Sequence, residues 1–243
     1  MKKPLIALTL AFSLISIAEI GTANTLVTIV KKRPMSDDER AVSGFKGISS
    51  SGSYDVRITM GNKESLRLEG DEDVIRDIET VVENGILKIR NRKRDNWNWG
   101  SREKVTIYIT AKALSSLSLS GSGDIVVKGL VKANRLTNTL SGSGSITLSA
   151  DADEYIGTIS GSGEIAVKGR ADKATIKIGG SGDFEGADLK TSIADIKVSG
   201  SGDASIFADK SLNAVVNGSG DITYRGDAKV NQTKSGSGSI TRL

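Results

Sequence analysis

An all-β fold, a β-solenoid of about seven short coils, is what the sequence predicts, and three observations carry that reading. Seven Gly-Ser-Gly corners recur in the C-terminal half, their first glycines at 121, 142, 161, 180, 200, 218 and 236, at steps of 18–21 residues. Around each corner apolar and polar residues alternate with period two, the pattern of strands that bury one face. The two prolines, Pro4 and Pro34, both precede this region, so the last 209 residues offer an unbroken supply of backbone donors to a hydrogen-bond ladder.

The chain opens with an export signal, residues 1–23. Lys2 and Lys3 precede an apolar run from Leu5 to Ile17, and Gly21-Thr22-Ala23 is the preferred cleavage site, with Ser16-Ile17-Ala18 as the alternative. The run is too short for a comfortable membrane span, so no transmembrane segment is expected in the mature chain. The chain has no cysteine, which excludes a lipoprotein anchor. Residues 24–40 read as a polar tether with one edge strand over Leu26–Val30.

Residues 41–112 read as a β-rich lead-in that covers the first coil. Strands are expected at Val56–Met60, Ser65–Glu69, Ile86–Arg90 and Val105–Ile109, all alternating. Val74, Ile75, Ile78 and Val82 stand at helical spacing, which predicts one short helix within Asp71–Glu83, and Asn84-Gly85 is a turn signal. Ser51-Gly52-Ser53-Tyr54-Asp55-Val56 is a degenerate copy of the corner.

Residues 113–243 form the solenoid. The columns led by Leu119, two residues before the first glycine, and by Ile125, two after the second, are expected to face inward. Small residues recur six positions past the second glycine (Gly129, Ala150, Gly169, Ala208 and Gly226), marking a second corner. One coil of this length holds two strands of about five residues and cannot bury its own apolar face; stacking supplies neighbours above and below. The last coil places Gln232, Lys234 and Arg242 at inward positions, as a polar cap would.

Composition limits the chemistry. With neither histidine nor cysteine, the Ser-His-Asp, Cys-His and His-zinc arrangements are excluded. Residues 111–243 carry 15 basic and 14 acidic side chains; such a neutral, mixed surface does not suit nucleic acid. No cofactor and no catalytic residue is expected.

Three groups remain as candidates. Asp55, Asp124, Glu164, Asp183, Asp203 and Asp221 follow successive corners; carboxylates in a column could collect calcium, but Ser145 and Ser239 interrupt them, and they read as turn-bonding side chains. Asp151, Asp153, Glu154, Asp172 and Lys173 could form a lyase or hydrolase face, but coils this short leave no loops to build a cleft. The third group, Arg92, Lys93, Arg94, Trp97 and Trp99, lies between two expected strands and holds both tryptophans of the chain. Aromatics beside cations stack on sugars, hold an acidic polysaccharide or dock at a membrane interface; the competing reading is a loop whose tryptophans pack on the solenoid flank.

The Ser-Gly-Ser-Gly-Asp-Ile corners, the lead-in, and the Val105-Thr106-Ile107-Tyr108-Ile109 strand followed by Leu114 and Leu117 resemble a bacterial family, the autotransporter adhesins with a head GIN domain, over roughly residues 42–243. The resemblance implies a right-handed parallel β-helix, an exported location and a role in adhesion; it brings no catalytic residues. With no barrel segment after the last repeat, the chain is not expected to anchor itself. The expectation is therefore an exported, non-enzymatic, adhesin-like structural or binding solenoid in the periplasm, at the cell surface or secreted. Its partner would be a polysaccharide or another envelope component. The alternatives are a polysaccharide-binding module built on the Trp97/Trp99 loop and, less favoured, a polysaccharide lyase or hydrolase.

Overall fold

The period-two alternation becomes a stack of parallel strands. The computed structural model describes residues 35–92 and 105–243, which fall in one unit, Arg33–Leu243. In chain order the lead-in gives β1 (Met35–Arg40), β2 (Gly47–Ser51), β3 (Asp55–Met60), β4 (Ser65–Asp71), α1 (Glu72–Asp77), β5 (Ile78–Glu83), β6 (Ile86–Asn91) and β7 (Thr106–Ala111). The repeats give β8 (Ser116–Gly121), β9 (Asp124–Gly142), β10 (Ser145–Gly161), β11 (Glu164–Gly180), β12 (Asp183–Gly200), β13 (Ala204–Gly218), β14 (Ile222–Arg225), β15 (Lys229–Gly236) and β16 (Ile240–Arg242). The architecture is a β-solenoid of about seven turns with a single short helix among the described residues.

Both inward columns are buried. Ile125, Ile146, Ile165, Phe184, Ala204 and Ile222 line one side of the core, and Leu119, Leu140, Ile159, Ile178, Val198 and Val216 the other. Removing one such Ile or Val side chain from water stabilises the stack by about 1.5–3 kcal/mol. The columns end where the sequence turns polar: Ile240 is half-buried, and Lys234 and Arg242 are exposed.

A coil is more than two short strands, however. β10 runs extended through its whole coil, with inward residues at 146, 148, 150 and 152 and then at 155, 157 and 159. The alternation slips at Asp153-Glu154, where two neighbouring side chains both face out and the chain rounds a further corner. Differences in coil length are absorbed away from the Gly-Ser-Gly edge, as in the register shifts at Thr147/Ser149 and Ala166/Gly169. Along that edge the first glycines pair one to one, Gly121 with Gly142, Gly142 with Gly161, and so on to Gly218 with Gly236.

The two glycines of a corner are required for different reasons. Gly142 has φ +134°, a conformation that side-chain-bearing residues rarely adopt. Gly144 has no such φ, but a Cβ there would stand 1.9 Å from the carbonyl oxygen of Gly123 in the preceding coil. The corners therefore stack backbone on backbone. The ladder continues around them through bonds such as Ser143 N–H to Gly121 C=O at 3.0 Å and Ser162 N–H to Gly142 C=O at 2.9 Å.

The lead-in is interleaved with the stack. β2 pairs in parallel with both β6 and β8, and β3 with both β7 and β9. The coil of the degenerate Gly52 corner thus sits between the β6–β7 coil and the first repeat coil, and the chain passes over it to continue. Beyond β7 lie β4 and then β1, both antiparallel. The helix is shorter than the Asp71–Glu83 window suggested. Asp71 caps α1 by accepting from the Asp73 and Val74 N–H groups, and the chain leaves helical geometry at Ile78. Residues 78–83, Ile-Glu-Thr-Val-Val-Glu, contain three β-branched residues besides their first and pair with β6 across the Asn84-Gly85 turn. Both turn residues have positive φ, 52° and 74°, as a tight hairpin turn requires.

Candidate functional site

Of the five candidate ligand-binding residues, Arg92 is described; Lys93, Arg94, Trp97 and Trp99 lie outside the described residues. Arg92 is exposed, and its N–H donates to Asp77 C=O at 2.8 Å. At the other end of the segment, buried Val105 accepts from Asp55 N–H at 3.1 Å. Ser50 pairs with Ile89 and Asp55 with Thr106, so the described residues on either side, Arg92 and Val105, lie beside the coil that turns at the Gly52 corner. Tyr54 braces the end of β6: its hydroxyl donates to Asn91 Oδ1, and burial together with the Asp77 charge pushes its pKa up to about 12.

Four acids of the column, Asp124, Asp183, Asp203 and Asp221, are bonded to backbone of the next coil. Asp183 Oδ1 accepts from Asp203 N–H at 2.9 Å, Asp203 Oδ1 from Asp221 N–H at 2.7 Å, and Asp221 Oδ1 from Ser239 N–H and hydroxyl at 2.7 and 2.8 Å. Asp124 holds Ser145 in the same way. Each of these acids fixes the next coil, and the two bonds from Ser239 hold Asp221 below its ordinary pKa. Glu164 is raised, by partial burial and by the charges of Glu185 and Asp183. No group of three acids placed to hold a metal occurs among the described residues.

The charged residues considered for a lyase face pair between coils rather than converging: Arg135 with Glu154 at 2.6 Å, Arg170 with Asp151 at 3.5 Å, and Lys173 with Asp195 at 3.8 Å. All three pairs face solvent.

A feature that sequence reasoning missed lies on the outward face of β4, β7 and β3. Outward side chains there and residues 39–43 border an open groove of about 800 Å³ that includes Arg57, Thr59, Ser65, Arg67, Tyr108 and Thr110. The Arg67 guanidinium lies 4.4 Å from the centre of the Tyr108 ring and is held by Asp37 at 3.0 Å and Glu69 at 3.3 Å. Farther along the same face a second depression of about 500 Å³ includes Lys128, Thr147, Ala166 and Lys168. The signal was the identity of the outward residues in each strand; finding it required the strand order, in which β7 lies between β4 and β3.

The glycine edge, the interleaved first coils and the antiparallel outer strands can be compared with known proteins. The family model described as "Putative auto-transporter adhesin, head GIN domain" matches residues 44–228. The chain belongs to this family. Among solved structures, a "putative adhesin" from Bacteroides fragilis is similar at TM-score 0.79 and 23% identity, over 87% of this chain and 98% of that one. A "putative lipid binding protein" from Parabacteroides distasonis aligns at TM-score 0.70 and 27% identity, over 86% and 96%. A "putative adhesin" from the same organism aligns at TM-score 0.69 and 22% identity, over 87% and 98%. No curated protein matches the chain. Among the described residues no helix is long and apolar enough to cross a membrane.

Proposed function

We propose that this member of the head GIN family is an exported, non-enzymatic binding module of the cell envelope, adhesin-like in that it presents broad sheet faces to a partner. The observation that carries the reading is the closure of the coils. Each Gly-Ser-Gly corner is pinned to the next by backbone bonds, and four of the acids beside the corners, Asp124, Asp183, Asp203 and Asp221, are bonded to backbone. Such faces offer area without the enclosure that shifts pKa values and desolvates a substrate. The Lys2-Lys3 start and the Leu5–Ile17 run support export. To test the reading, the purified mature chain is incubated with neutral and acidic polysaccharides, and cells with and without the gene are compared for attachment to a coated surface. The expected result is reduced attachment without the gene and no release of sugar product. Turnover lost in Asp183→Asn or Asp203→Asn would replace binding with catalysis.

A second reading, polysaccharide binding through Arg92, Lys93, Arg94, Trp97 and Trp99, rests on the sequence: residues 90–105 stand between the paired positions Ile89 and Thr106, where the adjoining coil has only residues 51–54 between Ser50 and Asp55. Loss of glycan-array binding in a Trp97→Ala/Trp99→Ala double variant would support it, and unchanged binding would remove it.

A further inference from the structure

The strand ladder sets one row of outward residues in line along the stack: Arg67, Tyr108, Arg57, Val126, Thr147 and Ala166. At about 4.8 Å between strands, the five steps of this row extend roughly 24 Å, long enough for several sugars in an extended chain. The row links the two depressions described above, the first rich in hydroxyls and the second floored by Thr147 and Ala166. Between them Val126 is 38% exposed and offers an apolar contact.

Several charges of this face are bonded within it. Arg67 is neutralised by Asp37 and Glu69, Glu64 accepts from Gly44 N–H at 3.0 Å, and Asp124 holds Ser145. The side chains of Arg57, Lys128 and Lys168 are exposed and make no hydrogen bond or ion pair among the described residues. Lys128 is the ladder partner of Thr59, two residues along from Arg57, and Lys168 is the partner of Ser149, two along from Thr147, so all three cations stand on one face. The row becomes acidic at both limits, with Glu39 beside Arg67 at one and, at the other, Glu164 two residues before Ala166, Glu185 beside Ala166, and Asp188 in the depression that holds Lys168.

We infer that this face binds an extended acidic polysaccharide, a polyuronate, lying along the stack. Its carboxylates meet Arg57, Lys128 and Lys168, its hydroxyls meet Thr59, Thr110 and Thr147, and the apolar face of one sugar rests on Val126. The flanking Glu39 and Glu185 set the length of chain accepted by repelling carboxylates placed beyond the row. The inference rests on the reading of the chain as a binder, and adds to it a site apart from the Trp97/Trp99 segment and a ligand class.

The test is titration calorimetry of the full mature chain with sodium polygalacturonate, with dextran as the neutral probe. The triple variant Arg57→Gln/Lys128→Gln/Lys168→Gln is compared with Lys177→Gln/Lys197→Gln, which removes exposed cations from another sheet face. Binding to polygalacturonate and not to dextran is expected, weakened by salt, with affinity reduced roughly tenfold or more in the triple variant and retained in the double. Equal losses in the two variants would mean unspecific attraction and would overturn the site. No binding of polygalacturonate by the folded chain would overturn the ligand class. Neither result touches the adhesin reading, which stands or falls on the attachment assay; circular dichroism of each variant keeps a folding defect separate.

Discussion

Replacing Gly144 by alanine tests whether the corners stack backbone on backbone. The new methyl would stand 1.9 Å from Gly123 O and 2.9 Å from Leu119 Cδ2, far inside the 3.4 Å at which ordinary contact begins. The nearer obstacle is backbone, held in its own ladder, so relief requires the coils to part locally. Overpacking of this kind costs about 1–3 kcal/mol or more, and separation of the coils would weaken ladder bonds beside it, including Ser145 N–H to Gly123 C=O. Gly179 is the control. It lies beside the same edge without a positive φ, and a Cβ there would have Ile159 O at 3.9 Å as its nearest neighbour. Gly179→Ala should therefore be neutral or stabilise by about 0.4–1 kcal/mol through the unfolded chain. The assay is thermal and urea unfolding followed by circular dichroism. At about 2–4 °C per kcal/mol for a chain of this size, Gly144→Ala lowers the midpoint by several degrees and Gly179→Ala leaves it level or higher. Equal shifts in the two variants would refute the stacking argument.

Ile165→Asp, which buries an unpaired carboxylate in mid-stack, should destabilise by several kcal/mol, whereas Ile240→Asp in the last coil should have a small effect; denaturant melts compare them. Tyr155→Phe removes the hydroxyl that accepts from buried Asn138 Nδ2 at 3.0 Å; it should cost about 1–3 kcal/mol, since an unpaired buried amide remains, and Tyr155→Phe/Asn138→Leu should recover part of the loss. Glu164 has its folded pKa raised, so its ionisation opposes folding, and its stabilising contribution is present at low pH and lost as pH rises through the folded value. Glu164→Gln should accordingly raise the melting temperature at pH 7 relative to the parent and not at pH 3. Asp221 has its folded pKa lowered from 3.8, so its contribution is present above that value and lost as pH falls through the lower one. Its NMR titration midpoint should lie below 3.8 and return toward it in Ser239→Ala.

Much of the fold was legible because a solenoid writes its structure locally. The inward columns at Leu119 and Ile125 follow from period two, and the glycine edge follows from a repeat whose corner cannot bear side chains. The helix was only half legible: Val74, Ile75, Ile78 and Val82 fit helical spacing, but Ile78, Val81 and Val82 also fit a strand, and pairing of Ile78–Glu83 with β6 decided for it. The interleaving of β2–β3 between β6–β7 and the first repeat was not legible, because adjacency in a parallel stack is set by which edges meet rather than by chain order. The same limit hid the Arg67–Tyr108–Arg57 row, whose members come from three strands. Among the candidate residues, the turn-bonding reading of the corner acids followed from side-chain chemistry at a fixed offset. The Arg92–Trp99 segment shows in the sequence as a cluster, and of it Arg92, just after β6, is among the described residues.

The most direct test of the functional account is fractionation of the native host carrying a C-terminally tagged copy of the full chain, followed by protease treatment of intact cells. The account predicts mature-length protein, shortened by the signal, in the periplasmic, outer-surface or secreted fraction and little in the cytoplasm. A full-length, cytoplasmic product that still begins at Met1 would contradict it, because an adhesin-like module confined inside the cell has no surface to meet.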